Sequence, residues 1–230
     1  MLKADQHRIL LLISVPPPYG GGELLGSFLN DFFRCNPLYK VFAYSRRNSS
    51  KSIQGKTTLY NLFCGFSLIL KSISLIIIYR PRVIYLSLPK TFIPFFRTAI
   101  IVLFAKLSSA VVLGELPGAD FPFLRQRGFK KSFGLSILKR IDSIRVLGSI
   151  TSDYIAKMGI KTAIVIDNGV YVPPKQPEKK IPAQQACLTL VYIGSLEFSK
   201  GLFNSIKALK IAQQNHLSIH LHIYFHLDIP

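Results

Sequence analysis

Acidic residues are scarce in this chain beside its basic ones. Its 230 residues hold 11 Asp and Glu against 29 Lys and Arg, a formal net charge of +18. Between Asp31 and Glu115 there is no acid at all, and that stretch carries basic residues from Arg34 through Lys106. A surface so one-sided excludes a balanced exterior over this half and attracts an anionic polymer or an anionic membrane face. Plain solvation of a basic protein would use the same charges. Cysteine is also scarce. Cys35, Cys64 and Cys187 have no CxxC spacing, which argues against a disulfide or zinc framework and points to a reducing compartment. Long apolar runs are missing too. Residues 62–78 are interrupted by Lys71, and residues 92–107 by Arg97 and Lys106. Both fall short of the ~20 apolar residues of a membrane span. Pro94 lies where a helix begins, so these runs read as core-facing helices with apolar, basic outer faces. Shallow contact with a bilayer suits them better than crossing it. A cleavable signal is equally unconvincing, because the apolar run at 9–15 is short and ends in Pro16-Pro17-Pro18.

What is present is a core and a rhythm. Hydrophobic residues make up 49% of the chain, which excludes a disordered polymer. Strand-like runs at 9–15, 40–44, 82–88, 110–113, 144–147 and 163–166 alternate with helix-like runs. The helices are expected at 23–33, 59–78, 92–107, 130–140 and 152–157, with a basic loop at 45–56. Buried strands separated by helices predict an α/β, Rossmann-like, doubly wound parallel sheet with helices on both faces. Residues 171–186 contain four prolines and little apolar content, the composition of a linker. The β-α-β pattern restarts at Leu188. The expected organisation is therefore an N-terminal domain over 1–170, a linker over 171–187, and the start of a second domain over 188–230.

Two glycine turns carry the chemistry. Pro16-Pro17-Pro18-Tyr19-Gly20-Gly21-Gly22-Glu23 joins the first strand to the first helix. That is the carboxyl edge of a parallel sheet, where ligands bind. Glycines there let the backbone approach a ligand closely and leave N–H groups open at the helix start. A tight structural turn would use the same residues, and the dinucleotide GxGxxG is not matched. The second turn, Gly194-Ser195-Leu196-Glu197-Phe198-Ser199-Lys200-Gly201, lies between a strand and a helix near the C-terminus. It lacks the Walker pattern, but Lys200 is placed to grip a diphosphate. A solvent-facing lysine before a helix is the alternative.

These segments, with Arg80-Pro81-Arg82-Val83-Ile84-Tyr85, Gly118-Ala119-Asp120-Phe121, Ser149, Ile166-Asp167-Asn168-Gly169-Val170, and Tyr192-Ile193-Gly194, occur in a telling order. Together they resemble the retaining glycosyltransferases of the GT-B fold, the group 1 or family 4 type. The resemblance spans essentially the whole chain. It implies two Rossmann-like domains, the first binding an acceptor and the second, incomplete here, binding a nucleotide-sugar. Donor-side contacts would fall to Gly20, Gly21, Gly22, Ser195 and Lys200, and the acceptor side has Glu115 and Asp120 as candidates. No catalytic residue is assigned. No cofactor and no obligatory metal are implied, the nucleotide-sugar being a substrate.

The departures from that family are specific. Ser195 stands where members often carry an arginine, and Pro117 where many carry a histidine; proline exchanges no proton. The chain stops before the acidic region that contacts the donor sugar, so the resemblance implies a C-terminally truncated member. The expected function is sugar transfer from a nucleotide-sugar to a glycan or lipid-linked acceptor, in cell-surface polysaccharide synthesis. It would act in the cytoplasm, peripherally, at the inner face of the membrane. The alternative is a catalytically inactive remnant that associates with membrane or protein partners. Nucleic acid is not an expected partner, because the Phe residues lie in apolar runs and are not interleaved with Lys and Arg. His216, His220, His222 and His226 cluster near the end, but no cysteine or carboxylate with ligand spacing accompanies them. Polar positions on an exposed strand explain them better.

Overall fold

Alternation of apolar strands and helices produces one parallel sheet and one smaller β-α-β unit. The computed structural model describes residues 7–16, 21–45, 59–116, 118, 121–125, 127–169, 188–194, 200–215 and 217–224. In chain order these form β1 (His7–Ile13), α1 (Gly21–Cys35), β2 (Tyr39–Ser45), α2 (Leu59–Tyr79), β3 (Val83–Ser87) and α3 (Phe92–Leu107). Next come β4 (Val111–Leu116), α4 (Pro122–Arg125), α5 (Phe129–Leu138), β5 (Ser143–Val146), α6 (Ser149–Lys157) and β6 (Ala163–Val165). The last elements are β7 (Leu188–Ile193), α7 (Leu202–Gln214) and β8 (Ile219–Tyr224). Contacts divide the chain into two units, Met1–Val170 and Tyr171–Pro230.

The first unit holds a six-stranded sheet in the order β2-β1-β3-β4-β5-β6, parallel throughout. Parallel neighbours cannot be joined by a tight turn, so helical crossovers are obligatory. The two-residue strand period then assigns each side chain to a face. On β1, Ile9, Leu11 and Ile13 pack with Phe33 of α1. Leu10 faces the other way, into the main core with Ile76 of α2 and Phe95 of α3. Helices therefore cover both faces, as a doubly wound sheet requires. Gly26 sets the approach of α1, since a Cβ there would collide with the carbonyl oxygen of Ser14. Under α3 and α4, Phe95, Phe121 and Phe123 meet with ring centroids 5.0–5.8 Å apart. Each such aromatic pair adds about 0.5–1.5 kcal/mol beyond its buried area.

The boundaries expected from sequence differ in three instructive places. The strand expected to end at 113 runs on as β4 through Glu115 and Leu116. A buried carboxylate is tolerated in it because a neighbouring strand supplies its partner. A single turn, α4, begins at Pro122, too short to show any helical period. Helix α1 starts at Gly21, two residues earlier than its apolar pattern does. The segment expected as a linker, up to residue 187, and all of the basic loop but Ser45 lie outside the described residues.

The second unit pairs β7 with β8 in parallel, with α7 between them. Gly201 caps α7 at φ 80°, a left-handed conformation that glycine adopts without penalty. Leu188, Val191 and Ile193 of β7 are exposed.

Candidate functional site

The chain leaves β1 toward β2 on one side and later crosses to β3 on the other. That reversal opens a crevice at the carboxyl ends of β1 and β3, the place where open parallel sheets bind ligands. Gly21 and Gly22 begin α1 there, and a Cβ on either would meet nothing within 4 Å. Packing does not demand glycine at these two positions. Their effect is to leave the helix N-terminus, with its unpaired N–H groups and positive dipole end, open to an anion.

Between β1, β3, α2 and α3 lies a cavity of about 270 Å³ whose lining includes Ser14, Tyr44, Ser87, Lys90 and Arg97. Its remaining walls are largely aliphatic, with Leu68 of α2 and Ile101 of α3 among them. Among the described residues, none that line it is acidic. Arg97 reaches it past Gly65 of α2, where an added Cβ would stand 3.6 Å from Arg97 Cδ. Lys90 occupies the space beside Gly118, and a Cβ at 118 would collide with the lysine Nζ and Cε. A further cation flanks the cavity, since Lys71 Nζ sits 5.6 Å from the centre of the Tyr44 ring.

Farther along the same edge, three strands are tied together by one carboxylate. Glu115 of β4 is 7% exposed. Arg145 Nη1 of β5 donates to its Oε1 at 3.0 Å, and Tyr85 Oη of β3 donates to its Oε2 at 2.8 Å. Register explains the meeting, because Arg145 lies directly opposite Glu115 in the β4–β5 pair. The rest of the guanidinium holds the chain after β6. Nε donates to Ile166 O at 3.1 Å, while Nη2 donates to Asp167 O at 2.9 Å and to Asn168 Oδ1 at 2.8 Å. Burial, followed by the negative charge of Glu115, pushes the Tyr85 phenol well above its ordinary pKa. It stays protonated and donates.

Of the residues singled out from sequence, Gly21, Gly22 and Glu115 share this sheet edge. Lys200 is exposed in the second unit, immediately before the cap of α7. Gly20, Asp120 and Ser195 lie outside the described residues, as do His216 and His226. His220 and His222 are exposed on β8. No group of three or more His, Cys, Asp or Glu side chains that could hold a metal occurs among the described residues. Sequence reasoning did not single out Tyr85, Lys90, Arg97 or Arg145 as site residues. Each looks ordinary alone; a glycine at a distant position that leaves room for a cation was the one available signal.

Helices α2 and α3 carry a second feature. On α2, Phe63, Phe66 and Leu70 are exposed, and on α3, Phe96, Leu103 and Leu107 are exposed. In each helix the spacing is three or four residues or a multiple of a turn, so they form outward stripes. Among the described residues, no helix is long and apolar enough to cross a membrane.

No protein-family model matches the sequence, and no curated protein does either. The fold is similar to solved structures. The apo form of the lipopolysaccharide outer core galactosyltransferase WaaB matches with a TM-score of 0.56 and 13% identity, over 96% of this chain and 68% of that one. HepE from Anabaena, solved in complex with UDP and glucose, matches with a TM-score of 0.56 and 13% identity, over 97% and 62%. A UDP-GlcNAc 2-epimerase from Neisseria meningitidis, bound to UDP-GlcNAc, matches with a TM-score of 0.55 and 11% identity, over 96% and 66%. The chain thus spans about two thirds of the length of these structures. Its fold is of the GT-B type, a Rossmann-like parallel sheet followed by the opening β-α-β of a second Rossmann-like unit.

Proposed function

We propose that this chain is part of a glycosyltransferase that moves a sugar from a nucleotide-sugar to a glycan or lipid-linked acceptor, in cell-surface polysaccharide synthesis. The observation that carries the reading is the match of nearly the whole chain to a galactosyltransferase and to a protein solved with UDP and glucose. The epimerase shares the fold, but it needs no second substrate. The basic, anion-receptive edge of the first unit favours a transferase with an acceptor of its own. A GT-B protein of the retaining, family 4 type is the form proposed.

In this reading Gly20, Gly21 and Gly22 face the donor phosphates with backbone N–H groups. Lys200, with Ser195 near it in sequence, takes the diphosphate from the second unit. Transfer builds negative charge on the departing nucleotide diphosphate, so a fixed ammonium stabilises the transition state more than the ground state. Glu115 serves the acceptor side as a positioning residue, because both its oxygens are engaged by Tyr85 and Arg145. Asp120 is the second acceptor-side residue. No metal is required by this scheme, since cationic side chains meet the leaving charge. The exposed stripes of α2 and α3 rest on an anionic lipid surface, at the inner face of the cell membrane. Neither helix contains an acid that would repel an anionic surface; Lys71, Arg97 and Lys106 are their only charged residues, and Lys106 is paired with Asp142 at 2.8 Å.

Binding of UDP to the full chain tests the donor half of the proposal by calorimetry. Lys200→Ala is expected to weaken UDP by about tenfold, the equivalent of ~1.4 kcal/mol. UDP affinity that is absent, or indifferent to Lys200→Ala, would count against it and favour a non-catalytic remnant.

A further inference from the structure

The amino ends of the strands form the edge of the first sheet away from the crevice, and they carry charge that sugar transfer does not use. The chain enters β1, β2 and β3 there from three separate segments and brings a cation each time. Register places Arg8 of β1 beside Lys40 of β2, and the two-residue period turns both toward the face that Leu10 and Phe42 share. Arg82 reaches the same level on the other side of β1, its N–H donating to Arg8 O at 2.9 Å. Arg80 directly follows the last residue of α2, and all four cations are exposed. Tyr79, at the end of α2, stacks on Phe42 with ring centroids 3.8 Å apart, and Lys40 Nζ lies 5.6 Å from the centre of the same Phe42 ring.

Two features of this group work against stability. Like charges on facing strand positions repel, and Arg8 and Lys40 are such a pair. Arg80 has φ 45°, the left-handed conformation that glycine ordinarily supplies after a helix. A cation at a helix C-terminus complements the dipole, and Arg80 gains from that. Arg8 and Lys40 stand on strands and gain nothing from it. Among the described residues, the acids at this end of the sheet are Asp31 and Asp142. Asp31 belongs to α1, which packs on the opposite face. Asp142 is taken by Lys106 Nζ at 2.8 Å and by the Val112 N–H at 2.7 Å. Arg82 has an interaction of its own, so the remaining three cations are the ones to explain. Residues that break local rules without a structural return mark function.

We infer that Arg8, Lys40 and Arg80 form a binding site for a phosphate monoester or a diphosphate, on the sheet edge away from the donor crevice. The two guanidinium groups present planar forks to phosphate oxygens, and Lys40 adds a point charge. Two sources carry that chemistry. One is a lipid headgroup, for which exposed Ile77 and Ile78 in the last turn of α2 and exposed Leu107 at the end of α3 supply apolar neighbours. The other is a soluble phosphate ester.

The test is calorimetric titration with inorganic pyrophosphate of the full chain carrying Lys200→Ala, which removes the diphosphate grip proposed for the second unit. Pyrophosphate is expected to bind, and Arg8→Gln and Lys40→Gln should each weaken it by about tenfold, the loss of one charge-assisted contact. Arg80→Gly should weaken it several-fold while raising the urea midpoint, because glycine adopts the left-handed conformation without penalty. Lys210, exposed on α7, is the control for diffuse charge, and Lys210→Ala should leave the affinity unchanged. Absent binding, or equal losses in Lys210→Ala and Arg8→Gln, overturns the site. A urea midpoint that falls in Arg8→Gln overturns it too, since the charge would then be serving the fold. Flotation identifies the source. Recovery with phosphatidic acid vesicles above that with phosphatidylserine vesicles of equal surface charge, lost in Arg8→Gln, assigns the phosphate to a lipid. Pyrophosphate binding without that preference assigns it to a soluble ester. UDP affinity, measured with Lys200 intact, should be the same in Arg8→Gln, so failure of this site leaves sugar transfer standing.

Discussion

Replacing Arg145 by alanine removes the positive partner from a carboxylate with only 10% of its side chain exposed. It also removes three side-chain hydrogen bonds from β5 to residues 166–168. Breaking a buried ion pair from one side costs about 3–5 kcal/mol, because the surviving charge stays desolvated. Tyr85 still donates to Glu115, which offsets part of the loss, so Arg145→Ala should destabilise by about 3–4 kcal/mol. Glu115→Gln leaves Arg145 with three acceptors and puts no charge in an apolar place. Its cost should be about 1–2 kcal/mol, that of a lost charge-assisted hydrogen bond. Equilibrium urea unfolding followed by circular dichroism gives both values, and the double variant closes the cycle. The coupling energy should exceed ~1 kcal/mol in the direction of rescue, since removing Glu115 relieves the stranded charge. Additivity within about 0.5 kcal/mol, or an Arg145→Ala cost no larger than that of Glu115→Gln, would refute the reasoning.

Tyr85 makes stability sensitive to alkali. Its phenol is raised by burial and by Glu115, so the folded chain keeps a proton that the unfolded chain releases near pH 10, as free tyrosine does. Its contribution is therefore complete below about pH 10 and is lost as pH climbs toward the folded pKa. Urea midpoints should fall more steeply above about pH 10 in the native protein than in Tyr85→Phe, and parallel slopes would remove Tyr85 from the account. Flotation with vesicles containing phosphatidylserine should recover the protein at low salt, and recovery should drop when Phe63 and Phe66 are both changed to serine. Recovery that is unaltered by that change places the contact elsewhere.

How much of this was readable beforehand follows from where each interaction originates. Helix α3 has the bounds its sequence predicts, residues 92–107, because a local apolar period and Pro94 define it. The parallel sheet was legible for the same reason: apolar strands and intervening helices are local signals. The extension of β4 through Glu115 was not, since what makes a carboxylate tolerable there is Arg145, thirty positions away in sequence. Gly118 was noticed only as part of a motif, and its physical purpose became visible when Lys90 was found in the space it leaves. Glu115 was marked as a site residue on proximity alone. Its two engaged oxygens give it a tethering task that no local pattern encodes.

The lysine that fills the hollow at residue 118 has an evolutionary corollary. The two positions, twenty-eight apart along the chain, are linked, since a side chain at 118 would compete with Lys90 for the space its ammonium occupies. A lineage that drifts to alanine or serine at 118 should be found to have abandoned, shortened or redirected the basic residue at 90. Homologues that keep the glycine should keep the cation.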